Sequence, residues 1–290
     1  MSRIYNLIPE KKTYTNTLRY KPKSLSTANL PSSVDLRAKM PPIVDQGTVG
    51  SCTACAVSAA FQFCDLSWDG SVLFLYFNTR MLDGNTSQDN GSTLSQAVNA
   101  VNKYGICSNE RWPYLTNMWA TQPNVQCYVE GLKHQTIGYS HVEQTGDQMK
   151  ACLASGYPFV IGIYIYQSFE NPDVERTGNV PMPGAGEAML GGHAIVCVGY
   201  DDSRGIWICR NSWGTGWGDA GYFYLPYGYL NDTNLATDVW KITQVEQDDV
   251  IDGEIAQPLP APVLKKGWKI VPKLKTEIQP GDVLLSTLLN

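Results

Sequence analysis

The chain has 290 residues, 43% of them hydrophobic and 17% charged, and it contains 8 Trp and 16 Tyr. This composition excludes disorder, a coiled coil and a collagen-like fibre for most of the chain, and the length suffices for one large domain or two modest ones. The formal net charge of −5 argues against a chain-wide role in binding nucleic acid or an anionic membrane.

The apolar stretches of the chain are short. Met1–Glu10 contains no apolar core of the kind that a secretory signal has, and the eight residues Phe159–Tyr166 form the longest uninterrupted apolar stretch, far below a membrane span. The 8 Cys are too sparse for a disulfide-stapled secreted scaffold. We therefore expect an intracellular, cytoplasmic protein with reduced thiols, no membrane partner and no nucleic-acid partner.

Helices are predicted mainly in the first half of the chain. Residues 1–30 carry six Lys or Arg and one Glu without regular apolar spacing, which predicts an extended basic arm instead of a packed element. Ser51–Cys64 consists of small and apolar residues without Gly or Pro, and it predicts a buried helix with Ser51 as its N-cap. The apolar spacing in Thr93–Tyr104 predicts a second helix, and Gln148–Ser155 predicts a shorter third one.

The second half of the chain contains short apolar runs that are typical of β-strands. Helices in one half and strands in the other predict an α+β fold with two lobes. Beyond residue 246 the sequence becomes acidic, then Pro-rich, then basic, which is typical of a semi-extended tail. The predicted strands are Phe159–Tyr166, His193–Tyr200, Gly205–Arg210, Gly221–Leu225 and Val239–Ile242.

Three short clusters of the sequence hold the residues that could carry out catalysis. Cys52 stands at the predicted start of the buried helix, where the positive end of the helix dipole lowers the pKa of a thiol. His193 opens an apolar strand after two glycines, and Asn211 begins a run that contains two Trp among glycines. A nucleophile, a base and an orienting amide in this order are typical of thiol-based acyl transfer.

Two other functions compete with this interpretation. Cys52 and Cys55, together with His193 and Cys197, offer four ligands with the local spacing of a zinc or redox site. That interpretation leaves the Asn211 cluster without a role, and also Gln46, the first residue of the short cluster that ends in Cys52. The second alternative is a catalytically silent or acyl-transferring protein that keeps the same fold, because a fold does not guarantee an activity.

The three clusters together resemble the motifs of the papain-like (C1) family of cysteine peptidases, over about residues 31–242. The nucleophile motif, the histidine strand and the asparagine motif occur in the family's order, and the overall pattern is closer to the microbial and viral branch than to lysosomal cathepsins. The matching residues are Gln46-Gly…Gly50-Ser51-Cys52, Gly192-His193-Ala194 with Val198-Gly199-Tyr200, and Asn211-Ser-Trp-Gly-Thr-Gly-Trp-Gly218 followed by Gly221-Tyr222.

The resemblance implies an α+β, papain-like two-lobed fold, in which a helical lobe packs against a β-barrel-like lobe with the active-site cleft between them. It implies a peptidase domain over 31–245, with a helical lobe over about 46–128 and a β-rich lobe over about 130–242. The remaining segments are the arm 1–30, a possible short pro-segment of a zymogen that contacts the cleft, and the Pro-rich, basic tail 246–290. A viral member could also be packaged in the virion.

The resemblance also assigns roles within a hydrolase of protein or peptide substrates, a thiol protease that needs no cofactor and no metal. It implies Cys52 as the nucleophile, His193 as the general acid and base, and Asn211 as the residue that orients the imidazole. The remaining implied residues are Gln46 and Cys52 for the oxyanion hole, Gly91, Ser92, Gly192 and Ala194 for substrate binding, and Trp213 and Trp217 as supporting side chains.

The chain departs from the family next to the nucleophile, where Thr53 and Cys55 stand in place of the usual Trp and aromatic residue, and at two positions where the family usually has Cys. Val49 stands where the family usually has a Cys that forms a disulfide next to the nucleophile. Asp89 likewise stands where a Cys usually precedes the Asn-Gly pair. Both replacements of Cys agree with a reducing compartment.

Overall fold

The computed structural model describes residues 4–10, 30–135 and 138–243, which form two lobes. In the helical lobe, α1 (Cys52–Cys64) is buried continuously from Cys52 to Gln62, because its side chains are mostly small or apolar. The other helices of this lobe are α2 (Val72–Leu82), α3 (Leu94–Tyr104) and α4 (Val125–Gly131), with short 3-10 turns at Arg37–Lys39 and Thr116–Met118.

The helix predicted over Ser51–Cys64 is present, but its expected cap is not. Ser51 makes no side-chain hydrogen bond to the helix N-terminus, and its hydroxyl lies 2.7 Å from the hydroxyl of Tyr114. The sequence missed α2, which is apolar on nearly all sides and therefore lacks the one-sided pattern of a surface helix. The hydroxyl of Ser71 caps α2 by accepting a hydrogen bond from the N–H of Phe74 at 3.1 Å.

The second lobe is a seven-stranded sheet with short helices. Its strand order is β2-β7-β3-β4-β5-β6, with β1 paired to one end of β4, and all described pairs are antiparallel. The strands are β1 (Ser33–Asp35), β2 (Gly138–His141), β3 (Phe159–Tyr166), β4 (Met189–Asp201), β5 (Ile206–Arg210), β6 (Tyr222–Pro226) and β7 (Ala236–Thr243). The helices are α5 (Gly146–Ala154), α6 (Pro172–Thr177) and α7 (Tyr227–Asn231), with a 3-10 turn at Gln167–Glu170.

The predicted α+β fold with two lobes is confirmed. The five predicted strands correspond to β3–β7, with β4 and β7 longer than expected, whereas the short β1 and β2 were missed because three or four residues give too little alternation to detect. One hydrophobic core joins α1 to the sheet, since α1 packs on β4, β3 and β7. Within the described ranges, no helix is long and apolar enough to cross a bilayer.

The N-terminal residues 4–10 lie between the two lobes. The composition of residues 1–30 predicts no packed element, yet the side chain of Leu7 is only 4% exposed. The family resemblance implied an arm that contacts the cleft, and residues 4–10 make such contacts. Composition did not indicate which residues dock, because a seven-residue segment docked in a cleft shows no periodicity of its own. Positions 11–29 of the predicted arm and the predicted tail 246–290 lie outside the described residues, and the predicted domain limits stay predictions.

Candidate active site

Cys52 is the first residue of α1 and is completely buried at the junction of the two lobes. The loop that precedes it is tied to the sheet lobe, because the backbone N–H of Gln46 donates to the carbonyl oxygen of Ser212 at 2.9 Å. The backbone N–H of Ala194 in β4 hydrogen-bonds the sulfur of Cys52. The fold therefore brings Cys52 beside the strand that carries His193.

The thiol of Cys52 is neutral in this arrangement. Burial raises its pKa to about 11, while the backbone N–H groups of Ala194, Thr53 and Asn6 lower it by less. The position at a helix N-terminus predicted a lowered pKa, and the structure shows the opposite direction. The physical reason is that the thiol has no contact with water while the cleft is filled, so desolvation outweighs the helix dipole.

His193 is held by the side chain of Asn211. The Nε2 atom of His193 lies 2.9 Å from Oδ1 of Asn211, and both side chains are buried. The backbone N–H of Ser212 donates to the same Oδ1 at 2.8 Å, which identifies that atom as the amide oxygen. Because an amide oxygen only accepts, Nε2 of His193 is the donor, and this fixes the tautomer of the ring.

Two Trp rings cover this pair of side chains. The indole of Trp213 stacks on the imidazole of His193 with 4.9 Å between ring centroids, and the ring of Trp217 meets Trp213 edge-on at 4.8 Å. Phe169 stacks on Trp217 at 5.9 Å and also meets Trp213 edge-on at 5.8 Å. This aromatic cluster excludes water from the hydrogen bond between His193 and Asn211, which strengthens that bond.

Gln46 is 1% exposed and lies next to the nucleophile loop. Its Oε1 accepts a hydrogen bond from the hydroxyl of Ser212 at 2.5 Å, and its Nε2 donates to the carbonyl oxygen of Val49 at 3.0 Å. A carboxamide nitrogen carries two N–H groups, so one of them is committed to Val49 and the second can serve another acceptor.

The four predicted substrate-binding residues lie on both edges of the cleft. The N–H of Leu7 donates to the carbonyl oxygen of Gly192 at 3.0 Å, and the N–H of Ile8 donates to the carbonyl oxygen of Ser92 at 3.0 Å. Gly91 has φ +76°, and a Cβ atom there would overlap the carbonyl oxygen of Asn6. Ala194 differs from the other three, because its backbone N–H hydrogen-bonds the sulfur of Cys52.

The N-terminal segment fills the cleft with side chains as well as backbone. Leu7 packs over Gly162 in β3, so closely that a Cβ on Gly162 would lie 2.5 Å from Cδ2 of Leu7. Tyr5 packs edge-on against Trp213, with 6.1 Å between ring centroids. The backbone N–H of Asn6 hydrogen-bonds the sulfur of Cys52. The segment therefore occupies the cleft directly at the nucleophile.

The alternative zinc site is not assembled. Cys197 faces Cys209 across the β4–β5 pairing, and its thiol donates to the carbonyl oxygen of Gly199 at 3.5 Å. Cys55 lies near the hydroxyl of Ser51 at 3.7 Å. In the described parts of the chain, no group of three or more His, Cys, Asp or Glu side chains is placed to hold a metal ion.

Several residues at the site gave no signal in the sequence. Asn6 and Leu7 belong to a segment whose composition contains no motif. The contacts of Asp89 with Gly50 and Tyr76 join positions that are 39 and 13 residues apart in the chain. Only the departure of Asp89 from the family pattern singled that residue out.

Comparison with known proteins shows the family to which the chain belongs. A model of the papain family of cysteine proteases matches residues 30–243. The chain is a papain-family cysteine protease. This protease is 36% identical over 249 residues to an uncharacterised peptidase C1-like protein of Acanthamoeba polyphaga mimivirus, and the match covers 81% of the chain and 80% of the relative.

Solved structures of papain-family proteases agree with the fold. The crystal structure of xylellain, a cysteine protease from Xylella fastidiosa, is similar with a TM-score of 0.78 and 35% identity, over 83% of this chain and 96% of that one. Digestive procathepsin L 3 of Tenebrio molitor shares the fold with a TM-score of 0.62 at 22% identity, over 80% and 75% of the two chains. The predicted family, with its resemblance to microbial and viral members, is confirmed.

Proposed function

We propose that this cysteine protease is an endopeptidase that works through a thioester on Cys52, with His193 as general acid and base. The observation that carries the proposal is the hydrogen bond from His193 to Asn211 under Trp213, on the strand that also contacts the sulfur of Cys52. Because Nε2 of His193 is bound to Asn211, its other ring nitrogen, Nδ1, is the atom that exchanges protons with the thiol and the substrate.

The proposed reaction has two steps. The Cys52 thiolate attacks the peptide carbonyl carbon, the C–N bond breaks, and protonated His193 gives its proton to the leaving amine. His193 then takes a proton from water, whose oxygen attacks the thioester and releases Cys52. The negative oxygen formed in both steps would accept from the backbone N–H of Cys52 and the second N–H of Gln46.

Covalent labelling tests this proposal. An epoxysuccinyl inhibitor of cysteine peptidases should add once per chain in reducing buffer, as read by intact mass. Cys52→Ala should abolish the adduct, while Cys55→Ala, which removes the other buried thiol of the same helix, should keep it. An adduct that survives Cys52→Ala, or no adduct even when the cleft is opened, would contradict the proposal.

We further propose that residues 4–10 act as an intramolecular inhibitor that must leave before a substrate can enter. Leu7→Glu places a charge at a buried position and should expel the segment. Ile8→Glu is the matched control, because the side chain of Ile8 is 42% exposed. Leu7→Glu should raise peptidase activity at least tenfold, and Ile8→Glu should change it less than twofold. Equal activities of both variants and the parent would refute the inhibitory role.

The pH dependence of labelling gives an independent test. Since burial raises the pKa of Cys52 to about 11, the closed cleft favours the protonated thiol. Closure is therefore most stable below the ordinary thiol pKa of about 8.5 and weakens as the pH rises towards 11. The rate of alkylation of Cys52 by chloroacetamide should follow an apparent pKa at least two pH units lower in Leu7→Glu than in the parent chain. Identical profiles would show that the segment does not protect the thiol.

A further inference from the structure

Asp89 connects the two loops that form the helical side of the cleft. It lies in the loop that ends in the substrate-pairing edge, which we define as residues 90–92. Its carboxylate accepts the backbone N–H of Gly50 at 3.0 Å to Oδ1 and 3.1 Å to Oδ2. Gly50 lies two residues before Cys52. A single side chain thus joins the substrate-pairing edge to the nucleophile loop across 39 positions of sequence.

Tyr76 completes this connection from within α2. The hydroxyl of Tyr76 donates to Oδ1 of Asp89 at 2.5 Å. The oxygen of this hydroxyl also accepts a hydrogen bond from the backbone N–H of Gly91 at 3.3 Å. The guanidinium of Arg80, one turn further along α2, lies 4.1 Å from the centre of the Tyr76 ring. Arg80 also donates to the carbonyl oxygens of Thr86 at 3.2 Å and Gln88 at 3.0 Å, which restrains the chain leading to Asp89.

The other ties of the two loops lead to different parts of the molecule. On the substrate-pairing edge, the hydroxyl of Ser92 donates to the carboxylate of Asp83, and the side-chain amide of Asn85 donates to Oδ1 of Asn90 at 2.7 Å.

The nucleophile loop is also held by Gln46, which donates to the carbonyl oxygen of Val49, and by Tyr114, whose hydroxyl donates to the carbonyl oxygen of Gln46 at 3.1 Å. The ties of the edge lead to α2 and the segment that follows it, whereas the Asp89 carboxylate leads to the nucleophile loop. The loss of the carboxylate should therefore let the edge shift against the nucleophile loop and leave the nucleophile in place.

We propose that Asp89 is a positioning residue whose carboxylate fixes the substrate-pairing edge against the nucleophile loop. The family usually has a Cys at the position of Asp89 and at that of Val49, next to Gly50, so in this chain hydrogen bonds and not thiols connect the two loops. The edge is then independent of the redox state of the surroundings. This inference rests on the proposed peptidase function, because a substrate must pair with Ser92 for the position of the edge to matter.

The test compares full chains that all carry Leu7→Glu, so that the cleft is open. The substrate is the tetrapeptide coumarin amide that this parent cleaves fastest in a positional library. Asp89→Asn keeps the shape of the side chain but removes its charge and one acceptor. It should raise KM about tenfold, the change expected for the loss of one hydrogen bond to a charged group, and change kcat less than twofold. Alkylation of Cys52 by chloroacetamide, which does not pair with the edge, should keep its rate.

Asp202→Asn is the matched control. Asp202 accepts from the hydroxyl of Tyr227 at 2.6 Å and from Lys150 at 2.5 Å, with Lys150 lying 4.2 Å from the centre of the Tyr227 ring. This surface group repeats the chemistry of the Asp89 site away from the cleft. Its substitution should leave KM unchanged.

Two further variants strengthen the test. Tyr76→Phe should raise KM about threefold and change kcat less than twofold. If Asp89→Asn does not fold, Tyr76→Phe tests the positioning role in its place. Val49→Cys combined with Asp89→Cys should have the parent KM when its thiols are oxidised by glutathione disulfide, and the KM of Asp89→Asn after reduction.

The outcomes separate this inference from the proposed function. If the Leu7→Glu parent cleaves no peptide, the proposed function fails, whatever Asp89 does. If the parent is active and Asp89→Asn has the same KM, the positioning role is wrong. It is also wrong if Asp89→Asn lowers kcat and the alkylation rate together without raising KM. A rise in KM of equal size in Asp202→Asn would overturn it as well.

Without Leu7→Glu, Asp89→Asn should have a different effect. The N-terminal segment uses the same edge, since Ile8 donates to Ser92 and the side-chain amide of Asn6 donates to the carbonyl oxygen of Asp89 at 2.9 Å. The substitution should weaken the segment and the substrate together, so the apparent KM should change less than twofold. A substitution that only destabilised the fold would lower activity in both backgrounds.

Discussion

The two sides of the cleft are held in different ways. On the sheet side, His193 and Asn211 are placed by the antiparallel ladder between β4 and β5 and by aromatic rings. On the helical side, polar side chains make the decisive contacts, among them Asp89 and Gln46. The side that transfers protons thus rests on backbone register and apolar packing, whereas the side that positions substrate rests on individual hydrogen bonds. Damage to the first should affect the whole fold, and damage to the second should affect one kinetic constant.

The largest effect is expected from Trp217→Ala on the sheet side. Trp217 is 2% exposed and packs against Trp213 and Phe169. Its removal leaves a cavity in the aromatic cluster and should lower the free energy of unfolding by about 3–5 kcal/mol. Urea denaturation measures this loss, and kcat should fall as well, because Trp213 loses its support.

Trp240→Ala is the control for that variant. Trp240 is 3% exposed and lies in β7. It should lower the free energy of unfolding by a similar amount and leave kcat of the folded enzyme unchanged. A loss of less than about 1 kcal/mol on Trp217→Ala would show that aromatic packing does not hold this side together.

The next effect is expected from Gln46→Ala, measured in the Leu7→Glu background. Loss of one oxyanion donor should reduce kcat about 10²–10³-fold, which corresponds to about 2.7–4 kcal/mol. Alkylation of Cys52 by chloroacetamide passes through no oxyanion and should change little. Gln62→Ala is the control: it also removes a buried side-chain amide, but from α1, and it should leave kcat unchanged. A parallel loss of the alkylation rate would assign Gln46 to holding the loop instead of the oxyanion.

The smallest effect is expected from Tyr114→Phe. This substitution removes one hydroxyl, which contacts Ser51 at 2.7 Å and donates to Gln46 at 3.1 Å. The free energy of unfolding should fall by about 1 kcal/mol, and kcat/KM should fall less than tenfold, because Gln46 keeps its contacts with Val49 and Ser212. A fall of a hundredfold or more would mean that the helical side depends on one contact and does not share its support.

The sequence predicts the sheet side of the cleft better than the helical side. The strands that carry His193 and lead to Asn211 could be recognised because apolar runs bounded by glycines are local signals. The run with Trp213 and Trp217 drew attention because packing alone does not explain Trp among glycines. The contacts of Asp89 could not be predicted, because a carboxylate in a loop gives no indication of which distant N–H group it meets.

The family resemblance implied that the N-terminal arm contacts the cleft, but which of its residues dock there, and the protonation of Cys52, could not be predicted for a related reason. Leu7 is one of few apolar residues in a basic stretch, and its burial depends on a pocket over Gly162 that only the folded sheet creates. The pKa of Cys52 depends in turn on that burial. The helix N-terminus does favour a lower pKa of the thiol, but burial under the N-terminal segment has the larger effect and raises that pKa.

The N-terminal segment is also part of the same chain as the cleft that it occupies. Leu7 pairs with Gly192, while Ser33 pairs with Asp201, about 30 Å further along β4 at 3.3 Å per residue. The 22 residues at positions 11–32 can span this distance, since they reach about 70 Å when extended. A tethered occupant has an effective concentration of roughly millimolar order, whatever the amount of enzyme. A single cut within positions 11–32 would turn a concentration-independent equilibrium into a bimolecular one, and dilution alone would then empty the cleft.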